Sequence, residues 1–371
     1  MKNILIAIRS IFKKGRHNVM KIVSLGIGLA VGLVLIAKVY FEQSYDDFYP
    51  DRDRVYQVWA KYQQNGGELK DYPQTSGGIA PTMQQQIPEI ETVTRYTSFG
   101  DWTFTMTDTK MKYSGRCIIA DSCFFDILPR PMLIGNAKEV LSTPMYVLIS
   151  SRIAKNIGGD VIGKNFTVDS SPGRTMTIGG VFEEVPENSH SRYDVIVSMA
   201  SAGRFMWEGS PTNMLGNDRY ISYVKLHKGV NPLALEEQVH TFVNSYFPPE
   251  EQQKTGFNIG FSFHELDGLH KELPQVKRMT WILSLLAFAL IFTAVMNYIL
   301  IVISSIVNRS KEVAVHKCYG ASENNIHGMM FGEALVHIVL SLILALLLIL
   351  AFRGTVEELL ATSLDSLLLS N

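Results

Sequence analysis

Met279-Thr-Trp-Ile-Leu-Ser-Leu-Leu-Ala-Phe-Ala-Leu-Ile-Phe-Thr-Ala-Val-Met-Asn-Tyr-Ile-Leu-Ile-Val-Ile-Ser-Ser-Ile-Val307 runs for 29 residues without a charge. A helix crosses the hydrocarbon core of a bilayer with about 20 apolar residues. At about 1.5 Å per residue this stretch reaches about 44 Å, against a core of about 30 Å. It is read as a membrane span that tilts or protrudes as a stalk. Two further blocks share its character. Residues 22–37 carry no charge, and residues 334–352 carry only His337 as an ionisable group. The first block reaches spanning length when Lys38 snorkels outward and Val39, Tyr40 and Phe41 are counted.

Of the 371 residues, 47% are hydrophobic and 19% charged, below the roughly 25% charged of soluble domains. The apolar excess sits in the three blocks, the pattern of a membrane protein rather than of a rich core. A net charge of −1 gives no sign of a nucleic-acid partner. Residues 1–21 carry Lys2, Arg9, Lys13, Lys14, Arg16 and Lys21 and no acid, whereas Glu42, Asp46, Asp47, Asp51 and Asp53 follow the first block. Basic residues stay on the cytoplasmic side, which puts the N-terminus inside and the next segment outside. The basic region is long for a signal peptide and no small-x-small site ends the apolar run, so an uncleaved anchor is expected.

The expected organisation is an amphipathic inside helix over 1–18, in which Ile4, Leu5, Ile8, Ile11 and Phe12 share a face. A first span follows at 19–41. An outside domain occupies 42–278, a second span 279–307, an inside loop 308–332 and a third span 333–352. A tail of 353–371 ends outside, where Leu359, Leu360, Leu364, Leu367 and Leu368 suit a short amphipathic helix. Gly28 and Gly32 form a small-xxx-small pair suited to close helix packing. Glu333 and His337 sit four apart at the start of the third span, buried polar groups with a packing or hydrogen-bonding role.

The outside domain begins and ends with the same order, strand, helix, strand. The first set is 54–61, 79–86 and 92–98, and the second is 220–227, 232–246 and 258–265. Two such sets suggest one α+β module, 45–110 with 220–270, split by an inserted β-rich module at 112–218. Within the insertion, strands are expected at 116–120, 146–149, 165–168 and 175–182. Cys117 and Cys123 fall outside, where either a disulfide or two small buried residues is open.

The catalytic motifs are near misses. Gly158-Gly-Asp-Val-Ile-Gly-Lys164-Asn165 approaches a phosphate loop, but Asn165 stands where a hydroxyl must hold magnesium. The loop also joins a helix to a strand, the reverse of the required order. His264 and His270 are six apart, so a helix would turn them to opposite faces, unlike zinc-protease histidines. No strand-flanked Gly-x-Ser-x-Gly turn occurs. The chain is therefore not expected to be an enzyme.

Several stretches resemble ABC transporter permeases of the MacB/FtsX-like family, especially two-repeat permeases of Bacteroidetes-type bacteria. They are the amphipathic start, Gly26-Ile-Gly-Leu-Ala30, Glu42-Gln-Ser-Tyr-Asp-Asp-Phe-Tyr49, Asp53-Arg-Val-Tyr-Gln-Val58, Ile87-Pro-Glu-Ile90, Phe124-Phe-Asp-Ile-Leu128, Gly179-Gly-Val-Phe182 and Pro186-Glu-Asn-Ser-His190. The most specific is Asn308-Arg-Ser-Lys-Glu-Val-Ala-Val-His-Lys-Cys-Tyr-Gly-Ala-Ser322, followed by Glu333-Ala-Leu335. The resemblance implies a type VII ABC architecture, with a porter-like module and a sabre-like insertion. It implies that Arg309, Lys311, Glu312, Val313, Lys317, Gly320 and Ala321 couple to a separate ABC ATPase subunit, which binds the ATP; no cofactor is expected on this chain. It further implies a second permease half or a homodimer, contact with membrane lipids, a periplasmic or outer-membrane partner, and a bacterial inner-membrane location. The family unit has four membrane helices and this chain shows three, so it reads as the first half of a longer permease. The alternatives are an FtsX-like regulator of a cell-wall hydrolase and a membrane-tethered sensor without an ATPase.

Overall fold

An apolar segment deprived of water must satisfy its backbone internally, and the three apolar blocks do so as helices. They run Asn18–Gln43, Pro274–Asn308 and Glu323–Ala351 in the computed structural model. The structure describes residues 18–169, 171, 173–308, 315, 318 and 323–369. The amphipathic stretch 4–14 and the loop residues Arg309, Lys311, Glu312, Val313, Lys317, Gly320 and Ala321 lie outside the described residues. The chain divides into two units, residues 1–44 with 271–371, and residues 45–270.

In the helical unit all three helices are long and apolar enough to cross a membrane. The third begins at Glu323, ten residues ahead of the boundary read from hydropathy, because hydropathy registers the lipid-like part of a helix and not its polar first turns. The first helix packs against both others. Its glycines make this possible. A Cβ on Gly28 would lie 2.2 Å from the Cβ of Ala294, and one on Gly32 would lie 2.4 Å from Ile291. Gly26 faces the third helix, where a Cβ would meet Leu344 at 2.9 Å. With no hydrophobic drive between helices in lipid, such close backbone approach supplies the dispersion contacts that join them.

Lys38 departs from the sequence expectation. It is buried rather than snorkelled, its ammonium 2.7 Å from the Glu42 carboxylate and 2.8 Å from the Thr362 hydroxyl. A local partner four residues on satisfies the charge without a route to water. The tail also differs. Two short helices, Arg353–Leu360 and Leu364–Leu369, replace the single amphipathic helix. Ala361 takes a left-handed φ of 48° between them.

Among the described residues the second unit carries eleven strands in one sheet. They are β1 (Val55–Gln64), β2 (Lys70–Tyr72), β3 (Ile90–Met106), β4 (Lys112–Ala120), β5 (Met132–Ile134), β6 (Tyr146–Ser150), β7 (Asn165–Val168), β8 (Thr175–Phe182), β9 (Val195–Ser198), β10 (Ile221–Leu226) and β11 (Phe257–Glu265). The order is β11-β1-β10-β3-β4-β9-β6-β8-β5, with β2 on β1 and β7 on β3 and β8. Strands from the two ends of the unit are neighbours: β1 is antiparallel to both β10 and β11. β3 is long enough to pair with β10 through its first half and with β4 through its second. Hydrogen bonding therefore continues without a break from the end strands into those of residues 112–218.

Side chains alternate across the sheet with the period of two that a strand imposes. On β10, Val224 joins a cluster with Val58, Ile79, Met83, Val239 and Phe242, under the helices Ile79–Gln86 and Glu236–Tyr246. Its neighbour Tyr223 points the other way, into a cluster with Tyr49, Tyr96, Phe124, Phe182 and Tyr193. A third cluster gathers Ile119, Val147, Phe166, Ile178 and Val197. Cys117 belongs to it as a free, fully buried thiol, and Cys123 is also free.

Burial pushes the hydroxyls of Tyr49, Tyr193 and Tyr223 up, and that of Tyr96 up to about 12, against about 10 for a free tyrosine. In the unfolded chain these hydroxyls ionise first, so the folded state holds more protons above pH 10. Stability is then fully present below pH 10 and falls as pH rises toward 12, by about 3 kcal/mol for Tyr96 alone. Absorbance at 295 nm and near-UV circular dichroism followed together should show these tyrosines ionising only as the second unit unfolds. Their ionisation before unfolding would contradict the buried cluster. In the helical unit, Gly28→Leu should cost about 1–3 kcal/mol by overpacking, seen as a lower thermal midpoint in detergent. Gly332→Ala, where a Cβ meets nothing within 4 Å, should not lower the midpoint, since alanine is the better helix former.

Candidate functional sites

Each unit holds a polar constellation set in an apolar core. In the helical unit it lies along the helix seams. Asn297 donates its amide to the Ser24 hydroxyl at 2.8 Å, and the Ser341 hydroxyl donates to the Ile22 carbonyl at 3.1 Å. The Tyr298 hydroxyl stands 3.4 Å from His337 Nδ1. Glu333 and His337 are both buried, at 7% and 2% exposure. These bonds link the first helix to both others and the second helix to the third. Gly28 and Gly32 lie on the same packed side of the first helix, so small residues set the distance and polar groups set the register.

In the second unit the constellation forms where its chain begins. Asp46 is fully buried and takes a left-handed φ of 60°. Its backbone N–H donates to the Asn188 carbonyl at 2.9 Å. Its carboxylate accepts from the Ser189 hydroxyl at 3.0 Å, from the His190 backbone N–H at 3.3 Å and from His190 Nδ1 at 2.7 Å. With Nδ1 donating, a neutral imidazole leaves Nε2 to accept from the Tyr223 hydroxyl, 2.5 Å away. Tyr223 stacks on Tyr96, whose hydroxyl meets that of Ser191 at 2.6 Å. The result is one connected path from Asp46 through the loop 188–191 into the middle strands β3 and β10.

The two chain ends of this unit are also tied to each other. The Tyr45 ring stacks on His270 with centroids 3.4 Å apart. Arg52 pairs with Asp267 at 3.1 Å, and the Leu266 N–H donates to the Val55 carbonyl at 2.9 Å. Asp51 bonds Lys225 at 2.6 Å and Arg54 at 2.9 Å, and these cations hold its carboxyl below the usual range. Deeper in, Arg95 grips Asp121 through Nε at 3.0 Å and Nη2 at 3.2 Å, and also donates to the carbonyls of Gly77 and Pro211.

The near-miss motifs have other employment. His264 stacks on Trp59 and lies 3.1 Å from the Ser262 hydroxyl, while His270 carries the stack with Tyr45. Gly158, Gly159 and Gly163 adopt positive φ in the turn between the helix Ser151–Ile157 and β7. None of Asp46, His190, Tyr223, Tyr96, Ser24 or Asn297 stands out as a site in the sequence. Two of them sit inside the quoted stretches 42–49 and 186–190, which was the one available signal.

A MacB-like periplasmic core domain matches residues 20–242, and an FtsX-like permease C-terminal region matches residues 284–369. Among solved structures, a domain of a protein assigned as a permease from Porphyromonas gingivalis is similar at 33% identity and a TM-score of 0.54, covering 58% of this chain and 91% of that one. The periplasmic region of MacB from Actinobacillus actinomycetemcomitans is similar at 17% identity and a TM-score of 0.36, covering 56% and 87%. The extracellular domain of the ABC-type transporter YknZ from Gram-positive bacteria is similar at 10% identity and a TM-score of 0.40, covering 56% and 98%. No curated protein matches the chain. With most of its length matched, the chain belongs to the MacB/FtsX-like family of membrane permeases, with a MacB-like periplasmic core domain and an FtsX-like C-terminal region.

Proposed function

We propose that the chain is a non-catalytic permease subunit of an ABC transporter, moved by ATP hydrolysis in a separate subunit. The reading rests on one observation: a MacB-like core domain and an FtsX-like membrane region occur in the same chain. The bonds around Asp46 and between the chain ends support it. They form a connected polar network at the chain ends of the second unit, as suits a domain that transmits movement. In this reading the N-terminus and the loop 308–332 face the cytoplasm, and residues 42–278 face the periplasm of a bacterial inner membrane. Arg309, Lys311, Glu312, Val313, Lys317, Gly320 and Ala321 form the coupling element. In the sequence, charged residues flank the apolar run Val313, Ala314 and Val315, a pattern that suits a docking surface for the ATPase. A second permease half or a second copy completes the assembly, with lipids around it and a periplasmic or outer-membrane partner beyond.

Topology is tested with single cysteines in a background lacking Cys117, Cys123 and Cys318. Asp108→Cys should react with an impermeant maleimide in intact spheroplasts, and Asn324→Cys should react only after lysis. Labelling of both in intact spheroplasts would overturn the orientation. Coupling is tested with Glu312→Lys and Gly320→Trp. A charged hydrogen bond across such an interface is worth about 1.5–3 kcal/mol, so Glu312→Lys should weaken co-purification with the cognate ATPase about tenfold or more. In nanodiscs both variants should lose coupling between ATP turnover and transport while the second unit keeps its melting point. Unchanged binding and coupling in both would remove the transporter reading.

A further inference from the structure

The sheet ends on β11, and its outer edge is open. Bonding parity along the strand follows from two observations. The Leu266 N–H reaches back to Val55 of β1, whereas the Ile259 N–H turns the other way, to the Gln252 side chain at 3.0 Å. In an antiparallel ladder alternate residues face the neighbouring strand. Even-numbered residues of β11 therefore bond β1, and Phe261 and Phe263 direct their N–H and C=O outward, where no described residue bonds them.

Exposed edges are usually blunted by brevity, proline, lysine or a bulge. The opposite end of the sheet follows that rule, since β5 has three residues. β11 has nine, with no proline or lysine and a regular register to β1. Gln252 closes one of its outward groups and leaves the rest. Beside the edge runs a groove of about 450 Å³. Its apolar wall includes Val239 and Val243 of the helix Glu236–Tyr246, together with Ile259, Phe261 and Phe263. A strand added to β11 would place every second side chain into this groove, because side chains alternate across a sheet.

The charges around the groove select among strands. Glu236 and Glu237 open the helix Glu236–Tyr246, and Glu250 and Glu251 open the helix Pro249–Thr255. All four are exposed and none forms an ion pair with a described residue. Lys61 and His240 line the groove and Lys254 lies on the helix Pro249–Thr255, so the four carboxylates of these two helix starts outnumber the two lysines. A second copy of β11 would bring the same acidic surroundings against themselves. We infer that the β11 edge is a docking site for an extended segment of a partner protein, one with apolar residues at alternate positions and basic residues at its ends. This inference is independent of ATPase coupling and of topology.

The test uses the full chain in nanodiscs and a fluorescein-labelled peptide, Lys-Val-Thr-Val-Thr-Val-Lys. Binding is read by anisotropy and by hydrogen–deuterium exchange across residues 257–265. The peptide should bind and slow exchange at Phe261 and Phe263. N-methylation of its alternate amides should weaken binding about tenfold, the effect of losing one or two backbone bonds. Glu-Val-Thr-Val-Thr-Val-Glu should bind more weakly, and the double variant Glu236→Lys with Glu237→Lys should reverse that preference. These glutamates are exposed, so the variant keeps the fold. Absence of binding would overturn the inference. So would binding without protection at Phe261 and Phe263, or equal affinity for the N-methylated peptide. Protection that grows with protein concentration alone would instead assign the edge to a second copy.

Discussion

The carboxylate of Asp46 is the constraint on which the second unit depends. Burying an ionised carboxylate costs several kcal/mol unless its oxygens are bonded. Asp46 is fully buried in a left-handed backbone conformation, so the loop 188–191 has to close on it with a hydroxyl, a backbone N–H and an imidazole. Closing the loop brings His190 to Tyr223 and Ser191 to Tyr96. Those tyrosines then fill one face of the central strands alongside Phe124 and Tyr193. A polar requirement at the first residues of the unit thus organises an apolar core built from three distant parts of the chain.

The neighbouring residues tie the two chain ends of the unit together. Residues 45–55 follow the first apolar helix in the chain, and residues 266–270 precede the second. Stacking of Tyr45 on His270, the Arg52–Asp267 pair and the Leu266–Val55 bond bind these stretches together. Asp51, held by Lys225 and Arg54, joins these stretches to β10, and β10 lies between β1 and β3.

The helical unit solves the opposite problem. Lipid gives its helices no hydrophobic reason to associate, so contact has to come from close approach and from polar bonds. Gly28 and Gly32 supply the approach, at separations that no Cβ fits. Ser24 with Asn297, and Tyr298 with His337, supply the bonds. Lys38 shows how far local pairing reaches, since Glu42 one turn on and Thr362 keep its charge inside the packed helices.

The membrane helices were legible because a run of 29 uncharged residues leaves the backbone no alternative to a helix in lipid. The sheet strands of residues 54–61, 146–149, 165–168 and 175–182 were legible because alternation and β-branched residues act within a few positions. β9 was not: Val195–Ser198 is four residues long and buried on both faces, so it carries no alternation to read. β3 was read short, because the chain bulges between Ser98 and Gly100 and then continues its pairing with β4. The glycine pair was visible as a spacing, but its partner helix was not. Asp46 looked like one acid among five after the first span, and His190 like the end of a turn. Their meeting spans 144 residues, and no local propensity encodes a contact at that distance. Local sequence determined which segments enter lipid and which form strands, because periodicity and solvation act over a few residues. Only the tertiary structure decided which acid is buried, which histidine answers it and which strand edge stays open, because those outcomes depend on what the rest of the chain brings alongside.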